Sequence, residues 1–345
     1  MRPVLNTAAR RLWRDAETLQ LGRAPQRSAV LAGLDPTTRG ALTLLDGTRD
    51  RDQVVAAAAA AGCPPERSEL LLDLLSAAGL LEDAGADLGP LGRLDRAERE
   101  RLTADVASLA LVRGDGGLPA ARHRADARVL VVGAGRVGAP LAGLLVTAGV
   151  GVVDVLDEAP AGAMDAGVGG LGLHDVGRSR GEAARERLRA AAPSSPAGPL
   201  IRADLVVLAP SRPEQLEEAR RAVQPGTPHL LAEVRETLGV VGPLVLPGRS
   251  ACLTCLDLTR TDLDPDWPAL AAQLAMPSRS RIACDGPLAV AVAAQAALQV
   301  LALVDGTTDP AAVGGTLEMA LPDWRWRRRS WPVHPECDCT LTAAG

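Results

Sequence analysis

Phenylalanine and tyrosine are absent from this 345-residue sequence, and five tryptophans carry all of its aromatic content. The core must therefore be built from Leu, Val and Ala. The same shortage argues against a stacking platform for single-stranded nucleic acid, which needs several rings along a groove. Histidine is scarce as well. The four present are isolated, and none stands at a spacing that completes a Ser-His-Asp pattern. There is no excess of positive charge either. With 37 basic and 42 acidic residues, the formal net charge is −5, which disfavours a dedicated nucleic-acid binder. The Arg-bearing N-terminus has no apolar run behind it, unlike a secretory signal. Asp262, Asp264 and Asp266 alternate as in a calcium loop but lack its Gly and terminal Glu, so they read as a turn leading into a helix.

What is there is an ordinary globular composition, 47% apolar and 23% charged, in a chain long enough for two or three domains. One stretch, Gly286 to Val304, approaches the length of a membrane span. It is mostly Ala and holds Gln295 and Gln299, so it reads as a buried helix, with no membrane partner and a cytoplasmic setting.

Three zones follow one another. Residues 1–83 open with two short strand patterns, ETLQLG and SAVLAGL, around a turn at Arg23-Ala24-Pro25. Asp35-Pro36 then starts a helix that Gly47 ends; a second runs from Asp50 to Ala61. A third starts at Pro64-Pro65, with Leu70, Leu71, Leu74 and Leu75 expected on one face. Strands plus three short helices make a small α+β, winged-helix-like pattern. Residues 84–126 are rich in Gly, Asp and Arg and read as a linker holding one helix near Asp95 to Leu109, with GDGGLPAAR as a loop. From residue 127 onward strands and helices alternate, which predicts a doubly wound α/β sheet of Rossmann type.

In this last zone, VLVVGAGRVG places Gly133, Gly135 and Gly138 between a strand and a helix. The first permits a tight turn, the second a close phosphate, the third close packing of helix on strand. Asp157 ends the next strand, where a ribose hydroxyl would lie. Two cysteine pairs, Cys252/Cys255 and Cys337/Cys339, supply four thiolates, enough for a closed Zn²⁺ site. A redox CxxC is the alternative. His334 reads as a surface neighbour or a substitute ligand, Cys63 as a core thiol, and Cys284 as a packed thiol or a nucleophile at a helix start. The Arg/Trp run near residues 324–331 reads as an edge strand with a basic face or a site for an acidic peptide.

The segment VLVVGAGRVGAPLAGLLVTAGVGVVDVLDE, followed by DVGRSRGEAARERLRAAAP, resembles the ThiF/MoeB, ubiquitin-activating-enzyme-like family. That resemblance implies an ATP-binding fold that adenylates a C-terminal carboxylate, with a zinc knuckle at the end of the domain. It puts Arg180 where the family has a phosphate-contacting Lys. The chain also departs from the family. Ala159-Pro160 follow Asp157-Glu158, AGAMDAGVGGLG offers Asp165 but no Asn or Arg, and Pro210-Ser211-Arg212 replace the segment with the metal-linked Asp. The departures imply weak or absent adenylation.

The N-terminal run LQLGRAPQRSAVLAGLDPTTRGALTLLDGTRDRDQVV, closing with LLDLLSAAGLLED, is similar to the PqqD-like peptide-recognition element. In that family a leader peptide adds a strand to the small sheet and packs on the third helix. Here the expected contacts are Ser28, Ala29, Val30 and Leu31, with Leu71 and Leu75 behind them. Joined, the two resemblances imply the leader-peptide-binding, ThiF-like partner of azoline pathways, delivering substrate to a YcaO-type cyclodehydratase. The rivals are an ATP-dependent adenylyltransferase and an NAD-dependent oxidoreductase; a homodimer stays open.

Overall fold

Three aspartates set the helical frame of the N-terminal part. Asp35 accepts the Thr38 N–H at 2.8 Å and starts α1 (Pro36–Thr43). Asp50 and Gln53 form a reciprocal capping box at the head of α2 (Arg51–Ala60). Asp95 accepts from Glu98 and starts α4 (Arg96–Arg113). Between them α3 (Pro65–Ala77) begins on a proline at its first position. The structure, a computed structural model, describes residues 1–24, 28–196, 199–278, 282–306 and 308–339. Pro25, part of the expected turn, lies outside the described residues.

The chain forms two units, Met1–His123 and the remainder from Arg124. In the first, β1 (Pro3–Leu5) pairs antiparallel with β5 (Leu81–Asp83). A separate antiparallel sheet runs β2-β3-β4, from Arg11–Trp13, Leu19–Leu21 and Ala29–Leu31. Leu5, Leu19, Leu21, Leu72 and Leu75 form the centre of its core. The segment 84–126 is not a linker. It holds α4 and α5 (Leu118–Asp126), and Leu111 of α4 packs on this core. Gly79 and Gly114 fit there because neither carries a Cβ: one added at Gly79 would lie 2.3 Å from the Gly114 Cα. GDGGLPAAR is correspondingly only half loop; its LPAAR is helical.

The second unit is built on a seven-stranded sheet ordered β12-β11-β10-β9-β8-β6-β7. Its parallel part comprises β6 (Arg128–Val132), β7 (Val152–Leu156), β8 (Leu205–Leu208) and β9 (His229–Arg235). This is the predicted doubly wound portion. The sheet then continues antiparallel through β10 (Leu238–Val245), β11 (Gly315–Ala320) and β12 (Trp326–Ser330), so it is mixed. On one face lie α6 (Gly138–Thr147), α7 (Arg180–Ala191) and α11 (Gly286–Asp305). Against the other lie α8 (Leu216–Arg221) and the first residue of α9 (Leu253–Leu263). Helix α11 is the apolar stretch, long enough to cross a membrane by length and composition. Here it buries Leu288, Val292, Ala293, Ala296 and Val300 in the core, and its Gln299 accepts the Ala312 N–H. Arg124 closes its far end with two 2.7 Å bonds to Asp305.

Candidate functional site

The strand order reverses at β6, with β7 on one side and β8, the next strand in the chain, on the other. Such a switch point opens a crevice at the carboxyl ends of the strands, where α/β folds hold ligands. Gly133 turns out of β6 at φ +106°, and a Cβ there would lie 2.1 Å from the Ala209 carbonyl oxygen just past β8. A Cβ on Gly138 would lie 1.9 Å from the Gly133 oxygen, so this glycine lets α6 start against the loop. Gly135 has a different neighbour: the Ser211 hydroxyl occupies the space its Cβ would take, at 2.1 Å.

Asp157 does end the strand's exit as expected, but its carboxylate is already engaged. One oxygen accepts the Ala134 N–H at 2.8 Å, the other the Ala159 N–H at 3.1 Å. The Arg180 guanidinium covers both: Nη2 donates to one oxygen at 3.1 Å, and Nε lies 3.0 Å from the other as an ion pair without a hydrogen bond. Arg180 also reaches Asp165 at 3.2 Å and the Ser211 hydroxyl at 3.4 Å. Both partners of the Asp157–Arg180 pair are 7% exposed in their side chains. The expected ribose acid and phosphate cation are thus brought together, but onto each other. A nucleotide would have to break a buried, hydrogen-bonded ion pair, which costs several kcal/mol, about 3 to 5, when one partner is lost. The chain contains no lysine, and its one asparagine is Asn6, in the other unit. No such residue is therefore available to complete a triphosphate site in the Rossmann unit.

Beside this cluster lies a cleft of about 240 Å³ lined by Arg136, Met164, Asp165, Ser211, Val234 and Cys284. It is smaller than the roughly 300–1,000 Å³ usual for ligand pockets. Arg136 was not singled out by the sequence, although it stands between the second and third glycines. Its Nε donates to the Met164 carbonyl at 2.7 Å and its Nη1 to the Cys284 carbonyl at 2.6 Å, joining two walls of the cleft. Burial pushes the Cys284 thiol up, with Arg136 opposing, which is the wrong direction for a nucleophile.

The second assembly is the thiol cluster. Cys252 and Cys255 flank the start of α9, while Cys337 and Cys339 follow β12. All four sulfurs lie within 4.8 Å of one another. The separations Cys252–Cys255, Cys252–Cys337 and Cys255–Cys339 are 3.8, 3.6 and 3.5 Å. A tetrahedral Zn²⁺ with 2.3 Å bonds places sulfurs about 3.8 Å apart, so the donor set fits that ion. Burial, then the neighbouring thiols, push Cys339 up, and burial pushes Cys337 up. Cys255 is also opposed by burial, yet N–H donors from His334 and Cys252 hold it down at about 7. His334 is neither a ligand nor a surface residue. It is 7% exposed, its Nε2 meets Asp262 at 2.9 Å, and its Nδ1 accepts the Glu336 N–H. Trp331 packs on the cluster and donates from its indole to Thr316.

In the N-terminal unit β4 pairs only with β3, which leaves its other edge free among the described residues. Val30 is exposed there, and Ser28, Ala29 and Leu31 are half-buried. The expected wall on α3 needs correction. Leu71 and Leu75 are core residues, 5% and 0% exposed, so they cannot meet an added strand. The helix turns about 100° per residue, and its buried stripe is Ser68, Leu71, Leu72 and Leu75. Leu70 and Leu74, at 57% and 51%, face outward instead. Arg67 of α3 donates to the Gly33 carbonyl just past β4 at 2.5 Å, placing the helix start beside the strand's end.

Residues 107–200 match the model of the ThiF family. The chain therefore carries a ThiF-like domain. No curated protein matches the chain. Among solved structures, E. coli MccB with ATP is similar at 14% identity and a TM-score of 0.70, covering 98% of this chain and 99% of that one. The microcin C7 biosynthetic enzyme MccB in complex with N-formylated MccA is similar at 15% identity and a TM-score of 0.68, covering 99% and 100%. PaaA is similar at 18% identity and a TM-score of 0.69, covering 94% and 99%. At such identities the likeness is one of fold.

Proposed function

We propose that this chain binds the leader segment of a ribosomally made precursor peptide on its N-terminal unit. It then presents that peptide, in the cytoplasm, to a separate YcaO-type cyclodehydratase of an azoline pathway. The observation that carries this reading is the free edge of β4; α3, tied to the end of that strand by Arg67, carries the outward-facing Leu70 and Leu74. An extended peptide supplies the missing backbone bonds, and side-chain pockets select its sequence. The Rossmann unit serves as a scaffold braced by structural zinc, because Asp157 and Arg180 are spent on each other. The fold similarity to MccB, solved with N-formylated MccA, spans the N-terminal unit too. The test is titration of the full chain with labelled leader peptides encoded beside its gene. Binding is expected in the micromolar range, on the order of −8 kcal/mol. Val30→Pro, which removes a donor from the edge strand, should weaken it at least about tenfold while the chain stays folded. Unchanged binding by that variant would place recognition elsewhere.

A second reading, an ATP-dependent adenylyltransferase acting on a peptide carboxylate, is favoured by the cleft at the switch point and by MccB having been solved with ATP. It predicts pyrophosphate exchange with ATP and Mg²⁺ that disappears in Asp157→Ala. The first reading expects no exchange with any of the leader-bearing peptides.

A further inference from the structure

Strand β12 ends the seven-stranded sheet and pairs on one side only, with β11. Trp331 donates its N–H to the Gly314 carbonyl, which sets the phase of the ladder. Residues 327 and 329 then point their backbone groups at β11, and residues 326, 328 and 330 point theirs at the open edge. Among the described residues no second strand takes up that edge.

Its side chains are unusual for an edge. Between Asp323 and Trp331 stand four arginines. Arg327 and Arg329 share one face of β12, and Arg325 precedes them at the same two-residue spacing. Arg325 and Arg327 both lean on Asp323, with side chains 80% and 63% exposed. Arg329 stacks on the Trp331 ring at 4.2 Å, with no carboxylate partner among the described residues. Glu318, opposite Arg327, is held by the Thr316 hydroxyl. Arg328 faces the other way and is spent on the carbonyls of Ala311 and Val313. Positive charge is thus in excess here, in a chain whose net charge is −5.

At the head of the strand Trp324 is 50% exposed and adopts φ +58°. A bulky residue in the left-handed region is a genuine outlier, and such strain gathers at ligand clamps and switches. Trp324 therefore presents its ring to solvent from a backbone position that an L residue rarely adopts. Trp and Arg are also the side chains that dominate binding hot spots.

We infer that the β12 edge is a docking site for an acidic, extended polypeptide segment, with carboxylates at every second residue facing Arg325, Arg327 and Arg329 and an apolar residue against Trp324. Spacing carries the match, because an extended chain repeats its side chains every two residues. Charge selects the occupant. A second copy pairing edge to edge would set arginines against arginines, whereas Asp or Glu residues gain charge-assisted bonds. The Trp324 end of the strand lies beside the β9–β10 turn: Leu321 donates to the Thr237 carbonyl, and Glu236 bridges to Cys284 at the cleft. A segment lying along β12 therefore runs toward the end of the sheet that carries the cleft.

The probe is a fluorescein-labelled synthetic peptide alternating Glu and Val with a terminal Leu, added to the full chain and followed by anisotropy. The wild type should bind it, and added salt should weaken the complex within a Debye length of screening. The Lys/Val counterpart should not bind. The double variant Arg327→Glu/Arg329→Glu should lose affinity at least about tenfold. Trp324→Gly removes the ring and relieves the backbone, so it should fold well yet bind several-fold more weakly. The inference is overturned if the wild type ignores the Glu/Val peptide, if the Lys/Val peptide binds equally, or if Trp324→Gly and the double variant bind as the wild type does. Variants that only self-associate, with peptide binding unchanged, would show the arginines to be guards against edge pairing and would overturn it too.

Discussion

At the scale of single residues, the glycine loop separates packing from ligand chemistry. Gly138→Ala would drive a methyl into the Gly133 carbonyl at 1.9 Å, with Ala209 at 3.1 Å behind it. Neither neighbour can swing away, so the variant should lose about 2–3 kcal/mol of stability in a denaturant melt. Gly135→Ala meets chiefly the Ser211 hydroxyl, which can rotate, and the Ser211 Cβ at 3.3 Å, so its cost should be about 1 kcal/mol, well below that of Gly138→Ala. Equal losses at the two positions would contradict this division. The sequence made these glycines legible because backbone conformation at a strand-to-helix turn constrains residue type directly. It gave no hint that Asp157 is bonded by Arg180, 23 positions on, or that Ser211 rests against Gly135. Those contacts depend on how far the loops fold back, and composition does not encode it. His334 was misread for a related reason: a histidine near cysteines carries no sequence mark of the Asp262 partner that buries it.

Among elements, the ones readable from sequence were those with caps and a long period. Asp35, Asp50 and Asp95 announced their helices. All strands of the first unit are three residues long; β3 and β4 stand out in the sequence because a turn separates ETLQLG from SAVLAGL, and β1 and β2 carry no such mark. Helix α11 shows the limit of hydropathy, since a span-like stretch and a core helix share the same composition. Helix α3 shows the limit of counting leucines: Leu70, Leu71, Leu74 and Leu75 read as one face, and the 100° turn splits them. That split yields a sharp test. Leu74→Asp should leave the thermal midpoint nearly unchanged and weaken leader-peptide binding, because its side chain faces solvent. Leu75→Asp buries an unpaired carboxylate in the core and should unfold the N-terminal unit. A calorimetric scan beside a binding titration distinguishes the two, and a stable Leu75→Asp protein would refute the assignment of faces.

For the whole molecule, zinc held in the proposed four-thiolate site would make stability conditional on metal and acidity. Purified, reduced protein should contain about one zinc per chain, and Cys252→Ser or Cys339→Ser should release it and lower the melting temperature. Zinc binds thiolates, so protons compete with it at all four sulfurs. Retention should therefore be complete near neutral pH and above, and fail progressively as pH falls; a chromogenic chelator reports the release. Metal loss unaffected by pH, or a freshly prepared protein without zinc, would rule out a four-thiolate site. The two-unit plan was partly visible in sequence, but the boundary was not, because Leu111 joins the first core from a segment whose composition resembles a linker. The cysteines also have a consequence for the unfolded chain. Cys252 and Cys337 stand 85 residues apart, and the stretch between them includes α9, α10 (Trp267–Leu274), α11, β11 and β12. A metal held at both ends turns that stretch from an open tail into a closed ring. A permanent cross-link spanning such a length removes about 4–5 kcal/mol of chain entropy from the disordered state. Zinc bound there would act as a topological restraint, so that even a denatured chain that keeps its ion begins refolding with about a quarter of the polymer already looped.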